Sequence, residues 1–385
     1  MVRPSAFQDS SLTADERAVR DTAARFAERE IAPHVDAWEE AGSFPRELYV
    51  AAARAGLLGL GMPESVGGQG GTILHAMLGS EGLLRGGSTG VVAGLGSAGI
   101  ALPPILATGS PEQQERFVRP VLAGDRIAAL AITEPGAGSD VSAVATRAVR
   151  EGEHYRITGS KLFITSGVRA DQVTVLARTG ADAHGGLTFF IVERGMPGFT
   201  SSAPLRKTGW WASDTAELSF EDVVVPTSHR IGAEGSGFVT LMRTFQGERL
   251  ALAAMGVATA EICFEAALAY VRERKVFGRP IVGFQVIRHR LADMATEVNA
   301  ARALTYSVAR RVAEGQALVA EVSMAKNFAA DVAVRVSHEA VQLFGGMGYM
   351  RETLVERLSR DARLLPIGGG TSEVMREIIS KAMGF

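Results

Sequence analysis

Residues 131–140 read AITEPGAGSD, an apolar run that stops in an acidic residue, a proline and two glycines separated by one alanine. Residues 127–132 are apolar enough for a strand. The Pro135-Gly136 pair predicts a type II turn after it, because proline presets φ and glycine accepts φ > 0. Gly136, Gly138 and Ser139 then offer successive backbone N–H groups with little side-chain bulk, plus one hydroxyl. That is how a chain comes close to a phosphate or a flat ring. Taken alone, such a stretch is more often a plain surface turn, so its reading depends on what surrounds it.

The pattern differs on the two sides of this strand. Upstream, Thr13-Ala-Asp-Glu16 is a capping box with Leu12 placed as a staple, and Val19, Ala23, Phe26, Ala27 and Ile31 follow at helical spacing. Pro45 opens a second helix that Gly56 ends, and Ser110-Pro111 opens a third that stops near Gly124. Downstream, HYRITG (154–159), QVTVLA (172–177), LTFFIV (187–192) and AELSFEDVVVP (216–226) are β-rich runs separated by turn residues, predicting a compact antiparallel sheet or barrel. After Gly237 the helical period returns in runs near 238–273, 284–313, 317–343 and 372–383, lengths that suit a helical bundle. The expected organisation is three domains: helical over 1–125, β over 126–232 and helical again over 233–385.

Composition narrows the function. With 385 residues, a formal charge of -2 and no long run of either sign, the chain has no electrostatic footprint for nucleic acid or an anionic membrane, and a small partner is expected. Cys263 is the single cysteine, which excludes disulfides within the chain and cysteine-built zinc sites; no metal is expected, and a reducing cytoplasm fits. The segment MVRPSAFQDSSL has no apolar h-region, and Gly and Pro interrupt the apolar stretch over 91–106, so a soluble protein is expected.

Four further stretches carry chemistry or its imitation. Lys161-Leu-Phe163-Ile-Thr165 puts an aromatic and a hydroxyl two residues apart, on one face if extended, or is simply a strand. Arg272 to Gly278 reads as a cationic helix C-terminus with a glycine stop. Gln342-Leu-Phe-Gly-Gly346-Met-Gly-Tyr349 ends a helix in three glycines, more than a stop needs. Ile367-Gly-Gly369-Gly370-Thr371 precedes the last helix, which Thr371 or Ser372 can cap, leaving an N-terminus able to face a phosphate or a carbonyl oxygen.

Together these stretches resemble the acyl-CoA dehydrogenase family, most specifically in ITEPGAGSD, WASDTAELSFEDVVVP (211–226), RKVFGRPIVGFQ (274–285), QLFGGMGY (342–349) and GGTSEVMREI (369–378). The resemblance implies a mainly α fold with a central β domain: an N-terminal helical domain, a middle β-barrel and a C-terminal four-helix bundle. It implies FAD between the latter two, in a homotetramer or homodimer whose neighbouring subunit completes each site. Carried over, Thr133 and Thr165 meet the flavin ring, Phe163 lies over it, and Gly138 and Ser139 lie near the pyrophosphate. Arg274, Phe277, Gln285, Gln342 and Gly346 reach the FAD of a partner subunit, while Thr371 and Glu373 meet this subunit's own. Ser139, Arg249 and Gly370 are carried over as substrate contacts. Trp211 stands where many members have arginine, and Phe163 where tryptophan is frequent.

The implied reaction removes two hydrogens from Cα and Cβ of an acyl thioester, giving the trans-2-enoyl product. It needs a base for the α-proton and donors aimed at the thioester oxygen. Many members carry the base just before the C-terminal glycine-threonine pair, but this chain has Gly369 there, and 364–372 contains no acid. The branch that includes isovaleryl and long-chain enzymes places it in a Glu-Arg-Leu context on a bundle helix, and Glu248-Arg249-Leu250 matches. Glu248 is therefore the expected base, among Thr244, Phe245, Ala251 and Leu252, with burial raising its pKa, and the Gly369 amide is the expected donor. The implied substrate is an acyl-CoA, with an acyl carrier protein thioester as the alternative, and the implied acceptor is an electron-transfer flavoprotein. An oxygen-using oxidase or monooxygenase, a DNA-associated flavoprotein and a non-enzymatic scaffold share the fold. A DNA-associated flavoprotein is expected to show a basic patch, which this chain lacks, and the retained base argues against a scaffold.

Overall fold

The computed structural model describes residues 12–385. Helices α1 (Ala14–Glu30), α2 (Val35–Ala41), α3 (Glu47–Arg54), α4 (Ile73–Leu84), α5 (Thr89–Leu95), α6 (Ala98–Ala101), α7 (Pro103–Thr108), α8 (Pro111–Phe117) and α9 (Arg119–Leu122) come first. The Thr13 capping box forms in full at α1. Leu12, expected as a staple on that helix, instead packs with Leu74, Met77, Leu78 and Leu250, because the staple position on α1 is held by Arg17.

The middle region holds β1 (Ala128–Ala131), β2 (Arg147–Glu151), β3 (His154–Thr165), β4 (Gln172–Arg178), β5 (Leu187–Glu193), β6 (Phe199–Ser201), β7 (Thr215–Pro226) and β8 (Arg230–Ile231), paired in the order β6-β7-β3-β2-β4-β5-β8. The pairing is not wholly antiparallel as the runs suggested. β1 lies parallel to β4 with Ala128 opposite Gln172, and β2 meets β4 in parallel at Arg147 and Arg178. The Leu162 amide donates to the Thr133 carbonyl at 2.8 Å, so the chain beyond β1 also reaches β3 and the sheet wraps on itself. The turn over 134–137 closes with Ala137 N–H to Glu134 O at 3.2 Å, but Gly136 keeps a negative φ, so it is not the expected type II turn.

A long helix, α10 (Gly237–Glu273), then leads through a hairpin of β9 (Lys275–Val276) and β10 (Arg279–Pro280) into α11 (Gln285–Ala313), α12 (Val319–Phe344), α13 (Leu354–Ala362) and α14 (Ser372–Met383). α10 is long and apolar enough to cross a membrane, yet 72% of its most apolar window is buried inside the fold, which accounts for its hydropathy. One core runs from Phe26, Leu84 and Leu95 to Val257, Val332 and Leu358, joining the first and last domains, while the sheet encloses its own around Tyr155, Val173, Phe190 and Leu218.

Two polar features tie the domains together. Arg302 of α11 bonds Glu81 of α4 at 2.9 Å and Glu261 of α10 at 3.1 Å, all three buried, and Tyr306 donates to the other Glu81 oxygen. Trp211 from the β domain lies under the guanidinium groups of Arg351 and Arg360, 4.3 and 3.7 Å from its ring centre. The C-terminal domain thus brings two cations onto Trp211 at that junction.

Candidate active site

Glu248 sits in the first third of α10, one turn after Phe245. Its Oε2 is buried and takes no hydrogen bond. Burial pushes its pKa from 4.5 up to about 7, against the opposing pull of Arg249 and Lys326. It faces the loop before α14. A Cβ built on Gly369 would lie 3.8 Å from Glu248 Oε1 and only 2.5 Å from Leu252 Cδ1. Position 369 and position 248 therefore address the same space, and here α10 fills it. Gly369 and Gly370 have φ of 65° and 105°, which explains two of the three glycines in GGGT.

That loop is pinned by its carbonyls. Arg249 Nε donates to Gly369 O at 3.3 Å, Lys326 Nζ to Gly370 O at 2.7 Å, and Asn327 Nδ2 to Ser372 O at 3.3 Å. The amides of Gly369, Gly370 and Thr371 donate to no acceptor among the described residues, so three adjacent N–H groups stand free beside the carboxyl. Thr371, not Ser372, caps α14, accepting from Val374 N at 3.3 Å. Glu373 is exposed in the first turn, where the helix N-terminus favours an anion.

The loop after β1 is built from inside. Lys161 is fully buried, and its ammonium bonds Ile132 O at 2.9 Å and Glu134 Oε1 at 2.8 Å, while Glu134 also accepts from Ala145 N and Thr146 N at 2.7 and 3.0 Å. This places Gly138 and Ser139 outside, where a Cβ on Gly138 meets nothing within 4 Å. Beside it, β3 does not alternate simply as LFIT suggested. Against β7, Lys161 pairs with Leu218 and Ile164 with Ala216, so one extra residue bulges. Phe163 lies in the bulge with φ 61°, its side chain 65% exposed. The hydroxyls of Thr133 and Thr165 take part in no hydrogen bond among the described residues. An aromatic ring held outward by strained backbone, beside two free hydroxyls and a bare glycine, fits a flat heteroaromatic group such as flavin. Phe245 and Met242 of α10 pack against the cluster that contains Ile132 and Ala137, joining this surface to the Glu248 helix.

The remaining expected residues lie apart from this centre. Arg274, Phe277, Gln285, Gln342 and Gly346 are all exposed, Phe277 by 91% at the tip of the β9–β10 hairpin. The two stretches that carry them meet where Tyr270 stacks on Phe344, ring centres 4.2 Å apart. Of the three glycines after α12, Gly348 packs, since a Cβ would strike Val341 O at 2.3 Å, Gly345 takes φ 59°, and Gly346 opens to free space. The sequence reading missed Lys326, Asn327 and the Lys161–Glu134 pair. Lys326 had a signal: it keeps register with the buried stripe Val322, Ala329, Ala330 and Ala333, where a lone cation is out of place.

Fold and site define a class, the flavin-dependent oxidoreductases that draw a proton and a hydride from adjacent carbons. The descriptions "Acyl-CoA dehydrogenase, N-terminal domain", "middle domain" and "C-terminal domain" match residues 13–125, 129–223 and 235–384. The rat (Rattus norvegicus) long-chain specific mitochondrial acyl-CoA dehydrogenase is 40% identical over 94% of this chain and 85% of its own. A probable acyl-CoA dehydrogenase of Mycobacterium abscessus superposes with a TM-score of 0.95 at 52% identity, covering 97% of this chain and 99% of that one. Butyryl-CoA dehydrogenase of Megasphaera elsdenii gives 0.93 at 37% identity, with the same coverage. The chain belongs to the acyl-CoA dehydrogenase family, and its activity is that of a flavin-dependent acyl-CoA dehydrogenase.

Proposed function

We propose that Glu248 is the base of this reaction and that the free amides at 369–371 bind the thioester oxygen. The observation that carries the reading is the 3.8 Å approach of Glu248 Oε1 to the Cβ position of Gly369, which brings a half-buried glutamate whose other oxygen is fully buried to those amides. Glu248 in its ionised form takes the α-proton, and the negative charge that moves to the thioester oxygen meets the N–H groups of Gly369 to Thr371. A pKa near 7 keeps a large ionised fraction at neutral pH while leaving the carboxylate basic enough to act. Bound FAD supplies the acceptor for the β-hydride. Thr133, Thr165 and Phe163 would hold its ring, and Gly138 and Ser139 its phosphate side.

The chain works as a homodimer or homotetramer in which Arg274, Phe277, Gln285, Gln342 and Gly346 reach a neighbour's FAD. Their common exposure supports this. The thioester carrier is coenzyme A and the electrons pass to an electron-transfer flavoprotein. The test is anaerobic: Glu248→Gln should retain FAD and acyl-CoA binding and lose bleaching of the flavin band. A variant that bleaches at the parent rate with the best acyl-CoA overturns the assignment.

A further inference from the structure

Lys326 reaches the centre from a different helix than Glu248. It lies on the buried face of α12, and its ammonium group donates to Gly370 O at 2.7 Å. Asn327, next to it, takes Ser372 O at 3.3 Å, and Arg249 from α10 takes Gly369 O at 3.3 Å. Two carbonyls of the loop and that of the first α14 residue are thus held from two helices, while the amides of Gly369 to Thr371 stay free. A hydrogen bond to Gly370 O alone could have come from a neutral side chain. A buried ammonium is costly to desolvate, and its cost is met only in part by a single carbonyl. Burial accordingly pulls its pKa down to about 8. Its charge also reaches the Glu248 carboxylate, which it draws toward the ionised form.

We propose that Lys326 is a positioning residue of the reaction: it clamps the Gly370 carbonyl so that the 369–371 amides stay in place, and its charge favours the ionised form of Glu248. The role rests on Glu248 being the base. The charged groups around the pair are few. Glu248 faces Arg249 on its own helix and Lys326 across the bundle, while Lys326 faces Arg249 and Glu248 from α10, Asp331 on α12 and Glu373 from α14.

Lys326→Gln keeps a donor for Gly370 O and removes the charge; Lys326→Arg keeps the charge and changes the donor's shape. In the FAD-loaded enzyme, pH-difference infrared spectroscopy reads the protonated-carboxyl band that Glu248→Gln deletes. Removing a nearby cation disfavours the carboxylate, so in Lys326→Gln this band should titrate about half to one pH unit higher. The acid limb of anaerobic flavin reduction should move up with it. In Lys326→Arg both should return to the parent position, with kcat about tenfold lower and KM changed less, because the amides are misplaced. A band and an acid limb unmoved in Lys326→Gln, with Glu248→Gln inactive, overturn the role of Lys326 alone. A Glu248→Gln enzyme that still bleaches its flavin overturns both assignments.

Discussion

Glu248 titrates near 7, against 4.5 for a glutamate in an unfolded chain, and the difference acts on stability as well as on chemistry. The folded state holds its proton more tightly, so stability falls as pH rises from 4.5 through 7 and the whole penalty is present above that. Glu248→Gln should therefore be the more stable protein at pH 8, by about 3 kcal/mol, with the gap closing toward pH 4.5, as urea melts at the two pH values would show. Phe163 carries a similar conflict. Its φ of 61° costs about 1 kcal/mol for a residue with a Cβ, so Phe163→Gly should raise the melting stability of the apoprotein slightly while weakening FAD, measured as release on dilution. The sequence marked Phe163 as a flavin neighbour, but not its left-handed backbone, because a bulge is set by the register of the opposite strand and has no signature in five residues of β3.

The long helices were legible to within a residue or two because their apolar period persists over many turns, and at α14 the Thr371 cap and Gly384 also mark both ends. α13 was not, since its nine residues pass between two glycine-rich loops without a distinct cap, and the parallel course of β1 was hidden because strand direction depends on where the chain returns. The turn before α14 also limits where the acid can be moved. Moving the acid by pairing Glu248→Gln with Gly369→Glu would drive a Cβ to 2.5 Å from Leu252 Cδ1, at a φ of 65°. The double variant should thus recover little flavin bleaching, and adding Leu252→Ala should raise it several-fold by clearing that contact. Gly369→Ala alone should cost about 1–2 kcal/mol in urea melts, for the backbone conformation.

Across the molecule, Arg302 joins Glu81 and Glu261, partners 221 and 41 positions away, so no spacing in the sequence could have announced it. Removing a buried partner strands the charges left behind, at about 3–5 kcal/mol. Arg302→Leu should lose roughly that much at pH 8, and less at pH 5, where the stranded glutamates take up protons, as denaturant midpoints at the two pH values can check. The buried lysine pair Lys161–Glu134 was equally silent, although both residues lie in quoted motifs, because burial of a surface-type residue shows only when the sheet is folded around it. The outward hairpin at Phe277 has a consequence for inheritance. On the shared-site reading, two disabled alleles, one Glu248→Gln and one Arg274→Ala, should rescue each other when co-expressed. In a mixed assembly the protomer lacking Arg274 keeps its base and borrows an intact arginine from its neighbour. A chain with a self-contained pocket would leave such a heterozygote as inactive as either parent.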